Sequence, residues 1–296
     1  MAKSRKNKEK KSKDKPKDKR KKRNKPKMAE LADRHELYQK SVQDPKAEVY
    51  CFNRLFKKYR DHRPLSLKED FCGTAYLSAT WVRSHKERTA LGVDLEPSVL
   101  AYSREHHISK LKKNQRERIT LVEANVLDIT EPQFDITCAL NFSYCVFKTR
   151  ELLTQYFRGA LASTKEDGMF ICELFGGSEA IIPIEESREV EDFVYVWDQD
   201  RYNPITNEIL CHIHFDFSDG SRMEKAFTYD WRLWTIPELR EMLLEAGFAQ
   251  VDVWWDPVEG DGDWYRKTEE EENQEGWLVY LVALPPKKAA SPEVAG

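Results

Sequence analysis

From residue 65 onward the apolar positions of this 296-residue chain switch between two periods. Short apolar runs at 65–70, 89–94, 119–124, 134–140 and 168–174 read as buried strands, and helical periodicity at 76–86, 97–112 and 149–163 fills the gaps. This β-α-β-α rhythm predicts a parallel sheet with helices on both faces. The rhythm then breaks. Residues 190–230 alternate apolar and polar positions, clearest in ILCHIHFDF, with turn signals at Asn203-Pro204 and Ser218 to Ser221. Three antiparallel strands inserted after the fifth core strand are predicted there. TIPELREMLLEAGF returns to helical period, with Thr235 as N-cap, Pro237 in the first turn, Glu238 at capping-box spacing and Gly247 at the end. A sixth strand at 249–255, an acidic loop at 257–276 and a seventh strand in GWLVYLVAL close the pattern, and 285–296 reads as a frayed tail.

Ahead of the first strand, residues 29–64 read as a helical arm broken at Asp44-Pro45 and stopped by Pro64. Leu37, Val49, Phe52, Leu55 and Phe56 form an apolar stripe expected to pack on the sheet.

Charge changes the picture at the amino terminus. Residues 1–28 hold 13 Lys and 3 Arg against 3 acids, which leaves 32 basic and 48 acidic residues for the remainder. The tail has no apolar periodicity and is expected to be disordered. It suits RNA or a nucleus-directed carrier, but no aromatic residue is interleaved among its lysines, and a solubilising or self-neutralising arm against the acidic body is the plainer expectation. No apolar run reaches the ~18–20 residues of a membrane span, and no apolar segment follows the basic start as in a secretory signal. The six cysteines show no C-x-x-C and no zinc spacing, which predicts reduced, mostly buried thiols in a cytoplasmic protein.

The chemistry concentrates in PLSLKEDFCGTAYLSATWVRSHKERTALGVDLE (65–96). A strand ends in Glu69 and Asp70, a turn follows through Cys72, Gly73 and Thr74, and after a helix the second strand ends in Asp94. Such a unit binds a nucleoside-bearing cofactor at the carboxyl ends of its strands. G-x-G-x-x-G is absent, which disfavours a nicotinamide cofactor, and no G-x-x-x-x-G-K-[ST] is present.

On these residues, and on the order of elements over roughly 60–284, the chain resembles the class I S-adenosylmethionine-dependent methyltransferases. The resemblance implies a seven-stranded, mostly parallel Rossmann-like sheet in the order 3-2-1-4-5-7-6 with the seventh strand antiparallel. It also implies S-adenosyl-L-methionine as cofactor. KEDFCGTAYLS resembles the family's first motif, with Glu69 as the acid and Cys72-Gly73-Thr74 as the turn, Cys72 facing the cofactor. Phe71 and Ala75 stand where the family usually has glycine. Asp94 matches the acid that takes the ribose hydroxyls, and Leu95 the residue on the adenine face. Asn125 stands where the family often has Asp, and its side chain and the Val126 backbone are expected at the adenine. Asn141 and Phe142 leave the fourth strand beside the reactive methyl group. Tyr38 and Arg54 are candidates for the methionine carboxylate.

The resemblance implies methyl transfer by in-line displacement, and, because an insert at this place often covers the acceptor pocket in small-molecule members of the family, it also implies a small-molecule acceptor. Tyr144, Tyr202, Trp231 and Arg232 are the candidate acceptor residues. RNA or protein methylation using residues 1–28, and a non-catalytic module that keeps the fold, are the alternatives. No catalytic base is assigned. His212 and His214 share a strand face, but no third ligand stands at a recognisable spacing, so no metal is assigned. Oligomeric state is not readable.

Overall fold

The computed structural model describes residues 25–256 and 264–287. The expectations for residues 1–24, for 257–263 of the acidic loop and for the last nine residues lie outside the described residues. Two sheets organise the chain. The larger has eight strands, β1 (Ser66–Asp70), β2 (Thr89–Asp94), β3 (Ile119–Glu123), β4 (Phe134–Ala139), β5 (Thr164–Gly176), β10 (Gln250–Trp255), β11 (Arg266–Thr268) and β12 (Trp277–Leu284). The second is antiparallel and contains β6 (Ile184–Val190), β7 (Phe193–Asn203), β8 (Glu208–Phe217) and β9 (Arg222–Arg232), in that order.

The large sheet runs β11-β10-β12-β5-β4-β1-β2-β3. The five strands β3-β2-β1-β4-β5 are parallel, and β12 is antiparallel to both β5 and β10. Read as core strands one to seven, this is 3-2-1-4-5-7-6, the expected order, extended by the edge strand β11. That short strand falls inside the segment expected to be an acidic loop, and it pairs with β10 through Val253 to Trp255.

The insert has four strands where three were expected. The missed strand, IEESREV, is exposed along most of its length and has no apolar face for a period-2 pattern to reveal.

The amino-terminal arm is three helices, α1 (Met28–Leu31), α2 (Arg34–Val42) and α3 (Pro45–Tyr59). Asp44 caps α3 by accepting from the N–H groups of Lys46 and Ala47, and Pro45 takes the first turn, where its missing N–H costs nothing. Val49, Phe52, Leu55 and Phe56 of α3 bury against Leu67, Leu77, Ile136 and Val282 of the large sheet and its helices. Leu37 does not join them. It packs with Phe193, Ile213 and Phe215 of the small sheet, where the Met28 N–H also bonds Asp219. The arm therefore ties the insert to the main body rather than lying on one sheet.

Three helices flank the parallel strands: α4 (Tyr76–Ser84), α5 (Pro97–Ser103), which runs on as a π-turn to Ile108, and α7 (Arg150–Ala162). The short α6 (Lys113–Arg116) precedes β3, and α8 (Ile236–Ala246) precedes β10. The α8 capping box forms as the sequence predicts, with Gly247 at φ 112° ending the helix.

Candidate cofactor crevice and acceptor cavity

The carboxyl ends of β1, β2, β3 and β4 meet in one crevice, the place where open α/β sheets bind ligands. β1 alternates its side chains. Lys68 and Asp70 point to one face and form a fully buried ion pair at 2.8 Å, with the Tyr156 hydroxyl donating to Asp70 at 3.0 Å. Glu69 points to the other face, under the start of α4, where its Oε2 accepts from the Ser78 N–H at 2.9 Å and from the Ser78 hydroxyl. Burial pushes the Glu69 carboxyl up to about 7, the Ser78 bonds oppose this, and the charges of Asp94 and Asp70 add to it.

The turn after β1 places three residues in the left-handed region, Phe71 at φ 56°, Gly73 at 51° and Ala75 at 51°. Phe71 and Ala75 are the two positions where glycine was expected. The backbone keeps the shape that glycine allows most easily while carrying side chains there. Phe71 packs its ring against Phe147 and Tyr156 with centroids 5.9 and 5.7 Å away, and Ala75 is fully buried. Those contacts offset the conformational cost.

The Gly73 N–H donates to Asp94 Oδ2 at 2.7 Å, and Asp94 Oδ1 accepts from the Glu96 N–H at 2.9 Å. Leu95 stands 68% exposed at the tip of β2, an apolar side chain on the crevice rim. A Cβ built on Gly73 meets no atom within 4 Å, so the space over the turn is open. Thr74 accepts from the Gln39 amide of α2 at 2.6 Å, and the same amide nitrogen bonds His107 Nε2 at 2.8 Å. Gln39 thus links the arm to the turn; nothing in its sequence neighbourhood marked it.

Cys72 departs from expectation. Its backbone lies in the turn, but its sulfur is buried beside Gly92 and Leu121, where a Cβ on Gly92 would approach the sulfur to 2.9 Å. It faces the packing between β2 and β3 rather than a ligand. Asn125 is exposed at the end of β3, and its amide oxygen accepts from the Leu127 N–H at 3.0 Å, capping a 3₁₀ turn that buries Val126. Asn141 (φ 52°) and Phe142 (φ 58°) turn the chain sharply after β4, and the Asn141 N–H donates to Glu173 at 2.6 Å.

Glu48 of α3, Glu69 and Glu173 of β5 gather behind this crevice. Burial drives the Glu48 carboxyl well up, and Glu173 and Glu69 repel it further. Neither Glu48 nor Glu173 was visible in the sequence as a site residue.

A cavity of 220 Å³ opens from Asn141 and Phe142 beneath the small sheet. Tyr38, Phe175, Tyr195, Trp197, Tyr229 and Trp231 wall it. Trp231, a candidate acceptor residue, stacks on Tyr229 at 4.3 Å and lines this cavity. Tyr38, a candidate for the methionine carboxylate, lines this cavity instead. Arg54 lies over the Trp264 ring at 4.1 Å and bonds the Tyr50 hydroxyl, so its guanidinium is held at the arm.

Three candidate acceptor residues lie elsewhere. Tyr144 is fully buried in the 3₁₀ turn Ser143–Val146, and its hydroxyl donates to the Glu173 carbonyl at 2.5 Å. Tyr202 bonds Asn207 at 2.8 Å across the β7–β8 hairpin, away from the cavity walls. Arg232 pairs with Glu238 at 3.0 Å, bonds the Lys148 carbonyl and lies over the Trp234 ring at 3.8 Å. These contacts engage both terminal nitrogens of its guanidinium within the fold.

Glu185, Asp198 and His214 come close enough to suggest a metal site. The Lys225 N–H donates to His214 Nδ1 at 3.0 Å, which places the ring proton on Nε2, the nitrogen 3.2 Å from Asp198. A protonated Nε2 donates to Asp198 and offers no lone pair to a cation. A larger cavity of 630 Å³ lies at the opposite, amino-terminal edge of the parallel strands, lined by Arg60, Arg63 and Arg88. It is remote from the strand tips that form the crevice.

No family model and no curated protein matches the sequence. Solved structures do match. A S-adenosylmethionine-dependent methyltransferase from Clostridium acetobutylicum is 17% identical, with a TM-score of 0.64, covering 85% of this chain and 98% of its own. The sugar N-methyltransferase KedS8 from a Streptoalloteichus species is 18% identical, with a TM-score of 0.58, covering 86% and 93%. The SAM-bound amino pentose methyltransferase CalS10 from Micromonospora echinaspora is 13% identical, with a TM-score of 0.59, covering 84% and 95%. With the strand order, the antiparallel β12 and the glycine-type turn after β1, these likenesses establish that the chain has the class I S-adenosylmethionine-dependent methyltransferase fold.

Proposed function

We propose that the protein is an S-adenosylmethionine-dependent methyltransferase acting on a small molecule held under the four-stranded insert. The observation that carries this reading is the adjacency of the two sites. The tip of β1, which carries Glu69 and leads into the Gly73 turn, pairs with the end of β4, and the residues that follow β4, Asn141 and Phe142, line the aromatic cavity. The matched proteins whose printed names specify an acceptor act on sugars, an amino pentose and glycopeptides, which supports a small acceptor here.

The crevice fits the cofactor by its donor set. Asp94 already accepts one N–H on each oxygen, and each oxygen keeps a second lone pair for a ribose hydroxyl. Leu95 offers an exposed apolar surface to a purine face. Glu69, whose carboxyl is raised to about 7, supplies acceptor oxygens for an ammonium group. Asn125 and the Val126 backbone stand at the tip of β3, where the adenine edge would fall. When bound, the cofactor supplies an electrophilic methyl group on a positively charged sulfur.

The chain's own part is positioning and exclusion of water. Tyr38 and the insert strands roof the cavity, and the turn at Asn141–Phe142 fixes its entrance on the crevice side. Holding a nucleophile in line at that entrance can supply ~7–11 kcal/mol of the barrier reduction. All six cysteines are free and buried, which fits a reducing compartment and supports a cytoplasmic location. Among the described residues no helix is long and apolar enough to cross a membrane.

Calorimetric titration with S-adenosylhomocysteine tests the reading. The wild type is expected to bind in the micromolar range and Asp94→Ala to bind undetectably. A wild type that does not bind would end the proposal.

A further inference from the structure

The cavity has a chemical character of its own. Seven of its ten lining residues are aromatic, and none carries a formal charge. The Tyr38 and Tyr229 hydroxyls interact with each other, with Tyr229 as the donor, so one phenol proton is engaged within the wall. The rest of the wall is mostly ring face. The stacked pair Tyr229 and Trp231, with Trp197 tilted beside them at 6.0 and 6.4 Å, forms one corner of the box. Phe142 and Phe175, 4.7 Å apart, form the corner next to the crevice.

The electrostatic surroundings point the same way. Glu173 and Glu48 both act on the Tyr38 hydroxyl, after burial and Tyr195, and push its ionisation up. Burial raises Glu173 as well. The walls hold no cationic side chain to pair with an anionic ligand, while a cation finds π faces. The volume of 220 Å³ is below the ~300–1,000 Å³ of pockets that swallow a whole drug-sized ligand, and it suits one head group.

Resting on the reading of the crevice as the methyl-donor site, we propose that the acceptor is a small alkylamine and that the aromatic box recognises its nitrogen as the positive charge arrives there. The amine enters neutral, a form that the uncharged, desolvated walls favour. Its lone pair forms the new N–C bond, the S–C bond pair stays on sulfur, and the positive charge passes from sulfur to nitrogen. A primary or secondary amine then gives up one proton to solvent; a tertiary amine leaves as a quaternary ammonium. Contacts that strengthen as the charge moves onto nitrogen favour the transition state over the ground state.

A matched pair of probes tests this on the full chain. Choline carries a trimethylammonium group, and 3,3-dimethylbutan-1-ol has the same shape without the charge. Calorimetry in the presence of saturating S-adenosylhomocysteine is expected to show choline binding at least tenfold more tightly than the alcohol. Trp231→Leu is expected to remove that preference while its S-adenosylhomocysteine titration stays at the wild-type value. Should Trp231→Leu fail to fold, Trp197→Leu, at a part-exposed position, reads the same preference. Equal binding of the two probes, or binding of neither, overturns the amine assignment. Loss of S-adenosylhomocysteine binding by the wild type strikes the donor site instead, so the two failures are distinguishable.

Discussion

The Gly73 N–H and the Asp94 carboxylate meet at 2.7 Å, joining the turn after β1 to the tip of β2. This bond is charge-assisted and closes the crevice floor before any ligand arrives. Its second oxygen fixes the start of α5 through the Glu96 N–H. One carboxylate thus organises both walls on which the adenosyl group would rest, and it does so with backbone donors that no substitution at other positions can replace.

Asp94→Ala removes both bonds at once. The expected result is a loss of at least tenfold in S-adenosylhomocysteine affinity, and a stability loss of about 1.5–3 kcal/mol in urea denaturation. Asp94→Asn keeps one carbonyl oxygen and should fall between the two. An Asp94→Ala variant as stable as wild type would show that the turn holds its shape without the carboxylate.

Phe71 occupies a left-handed backbone at φ 56°. Phe71→Ala and Phe71→Gly both delete the ring contacts to Phe147 and Tyr156, but only glycine relieves the backbone. Phe71→Gly is therefore expected to be the more stable of the two by about 1 kcal/mol. The usual order in regular structure, alanine above glycine, would contradict the left-handed turn.

The strand tips at Glu69 and Asp94 and the turn at Gly73 were legible because strand ends and turn chemistry are local in sequence, whereas the strand order came only from the resemblance to class I methyltransferases. What was not legible depends on side-chain direction and on distant partners. Cys72 lies next to Gly73, yet its sulfur turns inward because Gly92 leaves room for it. Tyr144 follows the strand four tip by a few residues, but the 3₁₀ turn rotates it into the core. Arg232 ends β9 beside a helix whose N3 residue is Glu238, so the pair forms at home rather than over the cavity. Gln39, Glu48 and Glu173 reach the site from three separate elements, and only the folded chain brings them together. The strand Ile184–Val190 escaped because both of its faces are polar.

Tyr144→Phe separates a structural phenol from an acceptor contact. Its hydroxyl donates to the Glu173 carbonyl in a fully buried setting. Removing it leaves that carbonyl short of a donor and should lower stability by about 1–3 kcal/mol. KM for the acceptor should stay within twofold of wild type. A large rise in KM with unchanged thermal stability would return Tyr144 to the acceptor site.

Glu69 provides a pH dependence whose sign is fixed by its environment. Burial raises its pKa to about 7 in the folded protein, above the 4.5 of a free glutamate side chain. The protonated form is therefore favoured by folding. Its stability contribution is complete below about pH 4.5 and is lost as pH rises through 7. A ligand ammonium favours the ionised form, so binding should expel a proton. S-adenosylhomocysteine affinity is expected to rise between pH 6 and 8 and level off above, and the calorimetric enthalpy at pH 7 should vary with the ionisation enthalpy of the buffer. Glu69→Gln retains an oxygen for the Ser78 donors while losing the titration. It should flatten the affinity profile and raise the stability of the free protein at pH 8 by roughly 1–3 kcal/mol. A wild-type affinity that is flat from pH 6 to 8, with no buffer dependence, would remove Glu69 from contact with the ammonium group.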